Sequence, residues 1–145
     1  MKVIKILAVL DTNVLVSAAL KPPSIPGIIV DKAMQGEITP VLNEKIISEY
    51  ERVLHSKKFN FPDEKINNMI GTLKERGIFL NEAEITDKVL HDTDVVFYAV
   101  TMEALEDKES VAYLVTGNKK HFPIKKYVVS PREFFYIIMD LSLKH

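Results

Sequence analysis

Residues 3–10 are Val, Ile, Leu and Ala with one interruption at Lys5. Apolar residues at consecutive positions predict a strand buried on both faces. Residues 24–35 predict a helix, with Pro26 in its first turn and Gly36 just past its end. Residues 38–42 read as a second strand, and Asn43 suits the N-cap of the helix that follows. There Ile46, Ile47, Tyr50, Val53 and Leu54 share one face of a helical period. Residues 62–76 repeat the pattern with Ile66, Met69, Ile70 and Leu73, and Gly77 can end it. Residues 78–80 form a weak strand. Residues 93–105 are apolar almost all round, the mark of a buried helix. Residues 112–116 and 127–129 are the last strands. Ser130-Pro131-Arg132-Glu133 is a capping box with Pro at the first helical position. It opens a terminal helix in which Phe134, Phe135 and Ile138 read as core ahead of a dimer face. Residues 57–61 read as a loop.

Strands alternating with helices imply crossover connections and a parallel sheet covered on both faces. The predicted fold is α/β, in one domain spanning residues 1–145, a length with no room for two full cores. At 47% hydrophobic and 27% charged, the chain has the balance of a globular protein. It has no cysteine, which excludes disulfide frameworks, zinc ribbons and thiol catalysis and fits a reducing cytoplasm. Lys2 and Lys5 ahead of an apolar run, with Ser17-Ala18-Ala19 beyond, imitate a secretory signal. Asp11 and Asn13 break that run, so the reading is against one. No other segment approaches the ~20 apolar residues of a membrane span, and no membrane association is expected. Lys and Arg number 19 against 20 Asp and Glu, for a net charge of −1. That excludes a broadly cationic nucleic-acid coat.

Ligands of open parallel sheets bind beyond the carboxyl ends of the strands. Asp11-Thr12-Asn13 follows the first strand, Asp92-Thr93-Asp94 precedes the apolar helix, and Thr116-Gly117-Asn118 ends a later strand. Any one of these could simply cap a helix or turn. Together they could converge on one rim. Two carboxylates about 5 Å apart repel by ~3 kcal/mol at an effective dielectric near 20. A divalent cation relieves that repulsion. Oxygen donors without Cys or paired His select a hard ion such as Mg²⁺ or Mn²⁺, which suits phosphoryl chemistry. The five glycines form no phosphate loop or dinucleotide fingerprint, and there is no Gly-x-Ser-x-Gly elbow. His55, His91, His121 and His145 lack metal-protease spacing and read as surface residues, His121 excepted because it lies in a basic stretch. From Asn118 to Tyr127 that stretch holds Lys119, Lys120, Lys125 and Lys126 with Phe122 and Tyr127, and no acid. Cations and aromatic faces beside a metal site offer nucleic acid something to bind. Lys57 and Lys58 are a weaker second candidate.

These residues, taken in order, resemble the PIN-domain ribonucleases, notably the toxins of toxin–antitoxin modules. The resemblance rests on Asp11-Thr12-Asn13 after an apolar strand and on Glu49 in the helical Ile47-Ser48-Glu49-Tyr50. It rests equally on Asp92-Thr93-Asp94 before an apolar helix and on Leu114-Val115-Thr116-Gly117-Asn118. It implies a three-layer α/β/α domain with a parallel sheet of four or five strands. It also implies a Mg²⁺- or Mn²⁺-dependent endoribonuclease. Asp11, Glu49 and Asp94 match the acids that hold the metal, with Asp92 as an alternative or auxiliary. Periodicity alone leaves Glu49 and Glu51 equivalent on either flank of the apolar face, and the family pattern selects Glu49. Thr12, Asn13, Thr116 and Asn118 would orient ligands and waters, and Lys119 and Lys120 would contact RNA phosphates. The implied partners are RNA, a small antitoxin and a second copy of the chain. Many members have Asp after Thr-Gly, where this chain has Asn118. An amide brings no charge and cannot act as a base. One firmly held ion is therefore expected, and a nucleic-acid-binding module with little turnover is the alternative. A haloacid-dehalogenase-type phosphohydrolase would want Asp-x-Asp where this chain has Asp11-Thr12-Asn13.

Overall fold

The computed structural model describes residues 4–144. Val3 and His145 lie outside the described residues. Five strands form one sheet: β1 (Lys5–Leu10), β2 (Thr39–Leu42), β3 (Ile78–Phe79), β4 (Ser110–Val115) and β5 (Val128–Val129). Their order is β3-β2-β1-β4-β5, and every neighbouring pair is parallel. Leu7, Ala8, Val9 and Leu10 are all buried. Side chains alternate across a strand, so a run with no exposed member requires cover on both faces. The result is the three-layer α/β/α arrangement.

Six helices supply that cover: α1 (Thr12–Leu20), α2 (Ile25–Gln35), α3 (Glu44–Leu54), α4 (Asp63–Arg76), α5 (Asp92–Ala104) and α6 (Pro131–Lys144). Helix α5 lies against β1, β2 and β4, and its Val96 to Thr101 are all buried. Among the described residues no single helix is long and apolar enough to cross a membrane.

The caps sit where local chemistry puts them. The Ser24 hydroxyl accepts from the Gly27 N–H at 3.1 Å, and Asn43 Oδ1 accepts from the Ile46 N–H at 2.9 Å. Gly36 ends α2 at φ 86°, a left-handed conformation that favours glycine. Gly77 serves differently, since a Cβ there would stand 2.7 Å from the Pro40 carbonyl oxygen. The capping box of α6 closes both ways, Glu133 N–H to Ser130 Oγ at 3.1 Å and Ser130 N–H to Glu133 Oε1 at 2.8 Å. Phe134 and Ile138 are buried and Phe135 is half-buried.

One helix escaped the pattern. Helix α1 starts directly after β1, with Asp11 as its N-cap. Its apolar residues are buried on nearly all sides against α2 and α3, so no amphipathic period marks it. Strand β4 also starts at Ser110, two residues before the predicted start at Ala112, because backbone pairing with Lys5 and Ile6 extends beyond the buried part.

Candidate active site

Strand order reverses between β1 and β4, the place where open α/β sheets bind ligands. The two strands pair without slip from Lys5 with Ser110 to Leu10 with Val115. The next residue on each is therefore level with the other, and these are Asp11 and Thr116. The Thr116 hydroxyl donates to Asp11 Oδ2 at 2.7 Å, and the Thr12 N–H donates to Oδ1 at 2.8 Å. Asn13 Nδ2 adds a longer bond to Oδ2 at 3.2 Å. Asn13 Oδ1 accepts from the Gly117 N–H at 3.0 Å, and Thr116 Oγ1 from the Asn118 N–H at 2.9 Å. Thr12, Asn13 and Thr116 thus hold Asp11 and stitch the two strand ends together.

Asp11 is buried, 6% exposed. Burial raises its pKa to about 6, and the negative charge of Asp94 pushes the same way. The bonds from Thr116 and Thr12, with His121 nearby, hold it down. Asp94 and Asp11 line one cleft of about 280 Å³ with Glu49, Asn118, His91 and His121. His121 Nδ1 lies 3.3 Å from Asp94 Oδ2.

Glu49 reaches the same cleft from α3. The adjacent Tyr50 is fully buried and donates its hydroxyl to the Leu10 carbonyl at 2.6 Å, which pins α3 to the end of β1. The Glu49 carboxylate itself is paired with Arg52 of the same helix. Glu51, its rival by periodicity, turns away to His55 at 3.1 Å. Asp92 is exposed and opens onto an adjoining hollow with Lys45, Glu49 and Glu82. Asn118 is exposed at the cleft. Lys119 is engaged by Glu133 at 2.8 Å, whereas Lys120 is exposed on the same 3-10 turn, Lys119–His121.

The donor chemistry fits a hard cation. Three carboxylates face one cleft, and the most buried of them resists ionising. Thr12 Oγ1 is buried beside them without a hydrogen-bond partner among the described residues. As placed, no three His, Asp or Glu side chains among the described residues stand close enough to hold a metal. Glu49 is engaged by Arg52 in this arrangement.

A family model described as PIN domain matches residues 7–120. The chain belongs to the PIN domain family. That span contains Asp11, Glu49, Asp94 and Asn118. PIN domains are generally nucleases; they bind nucleic acid and typically use divalent metals. No curated protein and no solved structure matches the chain. Within this PIN domain, His91 at the cleft is the residue that sequence spacing missed, because nothing in the sequence links it to His121.

Proposed function

We propose that this PIN domain, with the whole chain as its single domain, is a Mg²⁺- or Mn²⁺-dependent endoribonuclease. The observation that supports it best is the meeting of Asp11 and Asp94 in one cleft at the β1–β4 switch point, with Glu49 on its wall. Asp11, Asp94 and Glu49 would hold the cation, Glu49 after releasing Arg52. When bound, such an ion neutralises charge on a phosphodiester and lowers the pKa of an attacking water. Thr116 and Thr12 keep the Asp11 carboxylate aimed into the cleft. His121 steadies Asp94 from the other side. Lys120 is available to RNA phosphates, and Lys119 becomes so only by leaving Glu133.

The resemblance of Asp11-Thr12-Asn13 and Leu114-Val115-Thr116-Gly117 to toxin sequences supports a further step. On that reading the protein is the toxin of a toxin–antitoxin pair, acts in the cytoplasm and binds a small antitoxin, with self-association as a second contact.

Single-stranded RNA incubated with Mn²⁺ should be cleaved internally, and Asp11→Asn should abolish cleavage with the fold intact. Equal activity in that variant would refute the assignment. Asn118 favours a second reading, a binder with little turnover. It predicts salt-sensitive RNA binding without cleavage. Asn118→Asp discriminates, because restoring a carboxylate should raise the rate of an enzyme that lacks only that group.

A further inference from the structure

His91 occupies the N-cap of α5, a position where Ser, Thr, Asp or Asn would satisfy free backbone donors. Its side chain makes no capping bond. It is exposed, so packing does not explain it, and it forms no ion pair among the described residues. Instead its ring meets the His121 ring at a centroid distance of 4.5 Å and an angle of 61°, an edge-to-face contact. His121 is held in turn by Asp94. Both rings line the cleft that contains Asp11. The preceding residue, Leu90, is 65% exposed, an apolar side chain left in water.

A flat ring braced from one side, preceded in the chain by an exposed apolar residue and set in the wall of the cleft that holds Asp11, matches the requirement for stacking an unpaired base. We infer that His91, braced by His121 and flanked by Leu90, is a platform on which an unpaired nucleobase of the RNA strand stacks. This rests on the nuclease reading above. It adds a fixed point in the cleft at which one base of the strand is held, since only an unpaired base has a free face to offer. Stacking tolerates any base, so the platform would fix position more than sequence. Lys120, exposed beside His121, would meet the backbone of the same strand.

The test uses the full chain and a short single-stranded RNA carrying 2-aminopurine, with metal chelated so that binding is read without cleavage. The protein has no Trp, so the probe's fluorescence is unobstructed. Wild type should quench the probe at one position of the strand. His91→Ala should lose the quenching and bind roughly ten- to a hundredfold more weakly. His91→Phe, which keeps a flat ring, should restore both. An abasic nucleotide at the quenched position should weaken wild type by the same factor and leave His91→Ala unaffected. Calorimetry should show unchanged Mn²⁺ binding in His91→Ala. If wild type binds and cleaves RNA but His91→Ala binds as tightly, or Phe fails to rescue, the platform is wrong and the nuclease reading stands. If wild type neither binds nor cleaves RNA, both are overturned.

Discussion

Replacing Asp11 by Asn should stabilise the metal-free protein while removing its activity. The carboxyl goes from 3.8 to about 6 on folding, so holding it ionised at neutral pH costs the fold about 3 kcal/mol. Asn escapes that cost. Its oxygen can still accept from the Thr12 N–H, but its amide group would face the Thr116 hydroxyl and Asn13 Nδ2, the two donors that Asp11 Oδ2 accepts from. Losing two such hydrogen bonds takes back about 2 kcal/mol. The net gain at neutral pH is then about 1 kcal/mol, roughly a 3 °C rise in Tm for a chain of this length. The sign depends on pH. A carboxyl whose folded pKa is raised destabilises the fold only once the unfolded chain can ionise. The variant should therefore melt below wild type near pH 4, overtake it as pH rises towards about 6, and hold a constant lead above that. Thermal melts in EDTA across that range provide the assay. The lowered pKa values of Glu133 and Asp107 tilt both curves alike and cancel in the difference. Mn²⁺ should then raise the melting point of wild type more than that of the variant. A variant that melts below wild type at pH 8 in EDTA, or a lead as wide at pH 4, would refute the reasoning.

Three further substitutions probe the frame around the cleft. Tyr50→Phe removes the bond to the Leu10 carbonyl and should cost about 1–3 kcal/mol in urea unfolding. Ser130→Ala opens the capping box of α6 and should cost about 1 kcal/mol by the same assay. Gly77→Ala drives a methyl against the Pro40 and Leu73 carbonyl oxygens and the Leu42 side chain, and should lower Tm by an amount equivalent to about 1–3 kcal/mol.

The sheet was readable because each strand is built around a short apolar run, and helices α3 and α4 because their apolar faces repeat. Helix α1 was not, since burial on nearly every side erases the periodicity that identifies a helix. Asp11 and Asp94 could be picked out because they stand next to a strand end and a helix start, where topology determines position. Glu49 could not be separated from Glu51 by its place on the helix. The difference lies in partners: Glu49 reaches the cleft, and Glu51 is taken by His55. The partners of Lys119 and His91 were invisible for a related reason. Glu133 and His121 lie distant in sequence, and only the folded loops bring each pair together.

The unslipped pairing of β1 with β4 sets the kind of sequence change that the cleft can survive. Asp11 and Thr116 meet only because each is the first residue beyond strands of equal paired length. One residue inserted into or deleted from either strand would turn every later side chain to the opposite face. Leu10 would then exchange places with Asp11, and the hydroxyl would meet a hydrocarbon. The irregular chain between β3 and α5 has no strand register to keep and is fixed only where Ala83 meets the Ala99 carbonyl, Asp87 meets Tyr98 and His91 meets His121. Length variation should therefore be tolerated between those anchors and be ruinous within β1 and β4, where even a conservative insertion would dismantle the cleft and the core in one event.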